Sequence, residues 1–146
     1  MLHNLLVGLP TMLLCLVLQT TFTFWSVRYY VRASYSNAAV GARVAIWPLL
    51  IAMLILTAGN LLQITLWGAL FLALGEFSEF YEALYHSGVN FASLGYGDIV
   101  MSRSWKLLGP LEAVNGVLMV GMSGAALMAM LQYLIKKQHE QRTRTG

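Results

Sequence analysis

Apolar side chains gather in three long runs, about Leu5 to Tyr30, Val44 to Leu74 and Leu107 to Ile135. Each exceeds the about 20 residues that cross a bilayer as a helix. The second is long enough to tilt or to project beyond the hydrocarbon. Pro10 falls near the start of the first run, where a missing backbone donor matters least. Trp25, Tyr29 and Tyr30 stand at its far end, as aromatic side chains do at headgroup depth. Asn60 and Gln63 are polar at membrane depth in the second run, which predicts interhelical hydrogen bonds. Between the second and third runs the grain changes. Glu76, Glu79 and Glu82 arrive within seven residues, and an amphipathic stretch from about Glu79 to Phe91 follows. Next come the strip Ser93-Leu94-Gly95-Tyr96-Gly97-Asp98 and a polar turn, Met101 to Ser104. The amphipathic stretch is too short to span, so this region must enter the membrane and return. The pattern predicts an all-α membrane protein with three transmembrane helices and a re-entrant half-helix.

Composition agrees. Of 146 residues, 58% are hydrophobic and 10% are charged, against about 25% charged in a soluble domain. The arginines line no single face, which argues against a nucleic-acid partner. The first residues, Met1-Leu2-His3-Asn4, lack the basic start of a signal peptide. Cys15, the single cysteine, reads as a small apolar side chain within a membrane helix. Basic residues set the expected orientation. Arg28, Arg32 and Arg43 flank the first linker, and Lys136, Lys137, Arg142 and Arg144 follow the last run. The re-entrant side has Arg103 and Lys106. This predicts the N-terminus outside, the glycine strip outside and the C-terminus in the cytoplasm.

The strip carries the chemistry. Glycine adopts positive φ at no steric cost, so Gly-x-Gly can turn successive carbonyls to one side. A ring of such carbonyls replaces the water shell of a dehydrated cation. Ser-Leu-Gly-Tyr-Gly-Asp resembles the Thr-Val-Gly-Tyr-Gly-Asp selectivity filter of the potassium channel family. Upstream, Ala83-Leu84-Tyr85-His86-Ser87 stands at the spacing of that family's pore helix, where an aromatic pair precedes Ser. Downstream, Trp105 lies seven residues after Asp98, as a Trp does in several relatives. The resemblance covers roughly Phe77 to Ile135.

The resemblance implies a homotetrameric pore in the cell (inner) membrane, embedded in the lipid bilayer. Residues 1–43 would be a first span and cytoplasmic linker, 44–136 the pore domain, and 137–146 a cytoplasmic tail. K+ ions would sit at the carbonyls of Ser93, Leu94, Gly95 and Tyr96, with Gly97 completing the filter and the Ser93 hydroxyl supplying the innermost oxygens. No organic cofactor and no soluble ligand domain are expected. Ser93 and Leu94 replace the usual Thr and Val, so a weakly selective monovalent cation channel is the alternative. Tyr85, His86, Asp98 and Glu112 are the expected filter supports. Tyr85 is a partner for Asp98, and His86 for the Tyr96 hydroxyl, as a neutral brace or as a group that titrates near pH 6.5. Val89 occupies the place where some relatives pair a Glu with the Asp. Glu76, Glu79, Glu82 and Asp98 together would raise the cation concentration at the mouth; the alternative for the three glutamates is a merely solvated acidic face. Glu112 has two readings. It either lies behind the filter, bonding backbone donors or Asn90, or sits near enough to the surface to be hydrated.

Relatives often carry a hinge glycine twelve residues after the Trp. Here that place is Val117, with Gly116 one residue before it. Met119, Met122, Met128 and Met130 read as packing. Ser93 near His86 is the only suggestion of a membrane enzyme, and no Gly-x-Ser-x-Gly elbow surrounds it; the chain is read as no enzyme. An intact filter argues against a mere accessory subunit.

Overall fold

The computed structural model describes residues 1–36 and 42–145, with side chains at 1–34, 46–137 and 139. Most of the first linker, together with the side chains of Arg43, Arg142 and Arg144, lies outside the described residues. The elements are four helices: α1 Leu2–Ser36, α2 Ala42–Ala73, α3 Phe80–Phe91 and α4 Leu108–Thr145. No strand occurs among the described residues. Leu2–Ser34, Ile46–Ala73 and Leu108–Lys137 are long and apolar enough to cross a membrane. α1 runs past the expected end at Tyr30 because neither Pro nor Gly follows Pro10 before Gly41. α4 likewise continues unbroken through the basic tail. α3 has 12 residues, about 18 Å of helix, which is too short to span.

α2 ends on Gly75. Its φ of 75° is left-handed, the Gly75 amide bonds the Leu72 carbonyl at 3.0 Å, and the Glu76 amide bonds that of Phe71 at 3.1 Å. This pair of bonds satisfies the last carbonyls of α2 and turns the chain toward α3.

The chain divides into two compact units. The first comprises Met1–Gln19 and Gly59–Val120. Its core joins Cys15, Trp67, Phe71, Phe77, Ala83, Met101 and Leu108, with Trp105 and Leu111 packed against it. Gln63 sits fully buried here, and its side-chain amide donates to Gln19 Oε1 at 2.7 Å. This is the interhelical bond expected of a polar residue at membrane depth. The second unit comprises Thr20–Ala58 and Gly121–Gly146, with a core of Tyr30, Ala52 and Met130. Ser26 donates to the Ala52 carbonyl at 3.0 Å, and Tyr30 meets Tyr133 edge-on at 6.2 Å. Tyr30 is 1% exposed. It follows the inward stripe of Ser26, four residues earlier on the same helix face.

In the first unit Gly116 faces the backbone at the end of α3. A Cβ there would overlap the Phe91 carbonyl, and backbone cannot move aside as a flexible side chain can. Gly88 has only ordinary contact at 3.9 Å, with an Ile64 methyl. Gly116→Ala should therefore cost about 1–3 kcal/mol. In detergent its melting temperature should fall below the parent's, while Gly88→Ala should not lower it. Equal melting of the two variants would refute this packing.

Candidate functional site

The candidate site is the loop that leaves the C-terminal end of α3. Three bonds tie its root to the helix: Ala92 amide to Gly88 carbonyl at 3.0 Å, Ser93 to Asn90 at 2.8 Å and Leu94 to Val89 at 2.9 Å. Beyond the root, φ alternates in sign. Ser93 (56°), Gly95 (61°) and Gly97 (73°) are left-handed, and Leu94 and Tyr96 between them are not. Ser93 is the one non-glycine at positive φ among the described residues. Such a conformation costs an L-residue about 1–2 kcal/mol, and it persists where the surroundings over-determine it. Among the described residues, no hydrogen bond reaches the carbonyls of Ser93, Leu94, Gly95 or Tyr96. Residues 92–98 are all exposed in the single chain, Tyr96 by 64%.

Behind the loop lies a connected polar chain. His86, Ser87 and Asn90 fall on one face of α3 at helical spacing, with His86 packed against the rings of Phe71 and Phe77 at 5.7 and 5.2 Å. The Asn90 amide donates to His86 Nε2 at 2.9 Å and to Glu112 Oε2 at 3.3 Å. With Nε2 accepting, Nδ1 carries the proton and donates to the Ile99 carbonyl at 3.0 Å. Ser87 Oγ stands 2.5 Å from Glu112 Oε1 and 2.7 Å from the Ile64 carbonyl. Glu112 is 0% exposed. Of its two readings, the buried one describes the structure, and both its oxygens are engaged from α3. The chain of bonds thus runs from α2 and α4 through α3 to the far side of the loop.

Tyr85 and Asp98 meet at the loop's outer end, with the Tyr85 hydroxyl donating to Asp98 Oδ2 at 2.7 Å. That bond is the main reason the Asp98 carboxyl sits below its ordinary value and the Tyr85 hydroxyl above its own. His86 does not reach Tyr96 within the chain, since Ile99 and Asn90 occupy its two nitrogens. Burial holds the imidazole below its ordinary value, partly offset by the Ile99 bond and by Asp98 and Glu76. Glu76 is no free mouth charge. It accepts from the Ser102 amide at 2.5 Å and the Ser102 hydroxyl at 2.6 Å, closing the turn after the loop. Glu79 and Glu82 are exposed.

α4 buries one stripe, including Leu108, Glu112, Asn115, Gly116, Met119 and Ser123. Its opposite stripe of Val114, Val117, Leu118, Gly121, Ala125 and Met128 is exposed in the single chain. Gly116 is used for contact with α3, and the neighbouring Val117 is 60% exposed.

Residues 49–133, more than half of the chain, match a family model described as ion channel, and the protein belongs to that ion channel family. Neither the curated proteins nor the solved structures contain a match. Together with its three spans, this makes the protein a multi-pass membrane protein embedded in lipid. Three contributors to the site were not singled out from sequence: Ser87 as a partner of Glu112, Asn90 as the link to His86, and Glu76 as the clamp on Ser102. The available signal was helical spacing alone, with Ser87 and Asn90 three apart on α3 and Gly109, Glu112 and Gly116 one turn apart on α4.

Glu112→Ala removes a buried acceptor from Ser87 and Asn90 and should cost about 1–3 kcal/mol. Exposed Glu79→Ala should change stability by no more than about 0.5 kcal/mol. Melting in detergent compares them, and equal losses would place Glu112 with the surface carboxylates. His86 gives a pH dependence. The fold favours neutral imidazole, whereas the unfolded chain takes up a proton below about pH 6.5. The His86 contribution is therefore complete above about pH 6.5 and is lost as pH falls below it. The parent's melting temperature should drop between about pH 7 and pH 5, and His86→Asn should flatten that slope. An unchanged slope would remove His86 from the account.

Proposed function

We propose that this chain is the subunit of a homotetrameric, potassium-selective channel, with residues 93–97 as its filter. The observation that carries the reading is the backbone of that loop. Its φ alternates in sign over five residues, and four carbonyls in sequence accept no hydrogen bond from the described residues. Alternating φ turns successive peptide planes alike, so that the carbonyls line one edge. Polar backbone at membrane depth survives only against protein or a water-filled cavity. Four chains about an axis provide both, and dehydrated K+ takes the place of the missing donors at Ser93, Leu94, Gly95 and Tyr96. In this arrangement α3 is the re-entrant pore helix. The slim, apolar stripe of α4 that contains Gly121 and Ala125 lines the inner cavity or meets the next subunit. Tyr85, His86, Asp98 and Glu112 hold the loop from behind and from its outer end. The loop faces the outside and the C-terminus the cytoplasm, as the distribution of basic residues favours.

Selectivity follows from the backbone more than from side chains. Ser93 retains the hydroxyl of the usual Thr, and Leu94 contributes its carbonyl as Val would. Their changed bulk motivates the rival reading, a weakly selective monovalent cation channel.

The test is a reversal-potential measurement in bilayers with potassium on one side and sodium on the other. A potential near the potassium limit is expected, and one near zero favours the rival. Gly95→Ala puts a Cβ on a residue at φ 61°, costing about 1–2 kcal/mol in each subunit. It should abolish selective current while the native mass stays at four times the 16.2 kDa chain. Selective current through Gly95→Ala, or conduction by a monomer or dimer, would overturn the proposal.

A further inference from the structure

Within the second unit, α1 carries a feature that conduction does not use. From Leu5, near the start of the first span, to Trp25 the helix rises about 30 Å, the thickness of the hydrocarbon layer. A span that begins at Leu5 would put Trp25 at the far headgroup region, with Arg28 and Arg32 one and two turns beyond. Trp25, Arg28, Tyr29 and Arg32 recur at i, i+3, i+4 and i+7, so they share one face. All four are exposed, while Ser26 and Tyr30 on the opposite face are buried. With Ala33 they line an open recess of about 530 Å³.

No Asp or Glu precedes Glu76 in the chain. The second unit has a single acidic side chain, Glu140, which lies outside the described side chains. Among its described residues, Arg28 and Arg32 thus have no carboxylate to meet. A guanidinium offers a planar fork of donors that matches phosphate oxygens in pairs. Two such forks on successive turns, above a Trp and a Tyr at headgroup depth, match one kind of occupant. The phosphate lies between the arginines, and the glycerol and upper acyl chains lie against the rings.

We infer that the Trp25–Arg28–Tyr29–Arg32 face of α1 is a binding site for the headgroup of an anionic phospholipid. A net-negative lipid is chosen over a zwitterionic one because the site holds two positive charges and, among the described residues, no carboxylate to balance them. The inference rests on membrane embedding alone. It stands whether or not the loop of residues 93–97 selects potassium.

The test uses the full chain in detergent with added phosphatidylglycerol, phosphatidylcholine or inorganic phosphate, read by native mass spectrometry and by melting temperature. Phosphatidylglycerol should stay bound and raise the melting temperature, with about tenfold preference over phosphatidylcholine. R28Q/R32Q should lose that preference at unchanged oligomeric mass, and R28K/R32K should keep part of it. R103Q/K106Q, which removes an equal charge elsewhere, should leave it intact. Equal retention of phosphatidylglycerol by the parent and R28Q/R32Q would overturn the inference, as would equal binding of the two lipids. Full displacement by inorganic phosphate would make this a free-anion site instead. A changed oligomeric mass in R28Q/R32Q would make it a subunit contact.

Discussion

The first unit depends on a carboxylate that cannot be left unbonded. Glu112 is fully buried, and a buried carboxyl group without hydrogen-bond partners costs about 2–7 kcal/mol. Both of its oxygens are met from α3, by Ser87 and by Asn90 one turn later. The same face of α4 carries Gly109 one turn before and Gly116 one turn after. Gly109 lies close to the Asn90 amide, and Gly116 leaves room for the Phe91 carbonyl. A small, acidic, small sequence at helical spacing thus sets the register between the two helices. Sliding α4 by a turn would bury the carboxylate against apolar side chains and drive a Cβ into backbone. The loop begins at the end of α3, so its position is inherited from that register.

How much of this was legible depended on whether the signal was local. Long apolar runs report membrane helices by length and composition alone, and three such helices are present. Their ends were less legible, because α1 and α4 both continue past the last apolar residues of their runs. The loop was legible because its Gly-x-Gly chemistry is contiguous. Of the carboxylate's two partners, Asn90 was named and Ser87 was not. Glu112 was visible as an outlier, but hydropathy states depth and not direction, and Ser87 lies 25 residues away. Glu76 illustrates the same limit, since its clamp on Ser102 spans 26 residues and no local pattern announces it. The expected bond from His86 to Tyr96 is absent within the chain because two closer partners satisfy the imidazole first. A polar group in a poor solvent takes the nearest competent donor or acceptor.

The backbone of residues 93–97 differs in kind from the rest of the chain. Most carbonyls of the described residues are paired along helices. Here four successive carbonyls are unpaired, and a serine is held at positive φ. A single helix or hairpin has no use for such a loop, since it forgoes four hydrogen bonds and incurs strain. The cost is reasonable only if something outside the chain returns it, which is why the proposed pore needs an ion and three further copies. The exposed stripe on α4 makes the same demand in apolar form, although lipid would satisfy it equally well. The stripe therefore argues weakly for assembly, and the loop argues strongly. Lipid tails have no donors to offer a carbonyl, so burial in the bilayer alone cannot account for Ser93, Leu94, Gly95 and Tyr96.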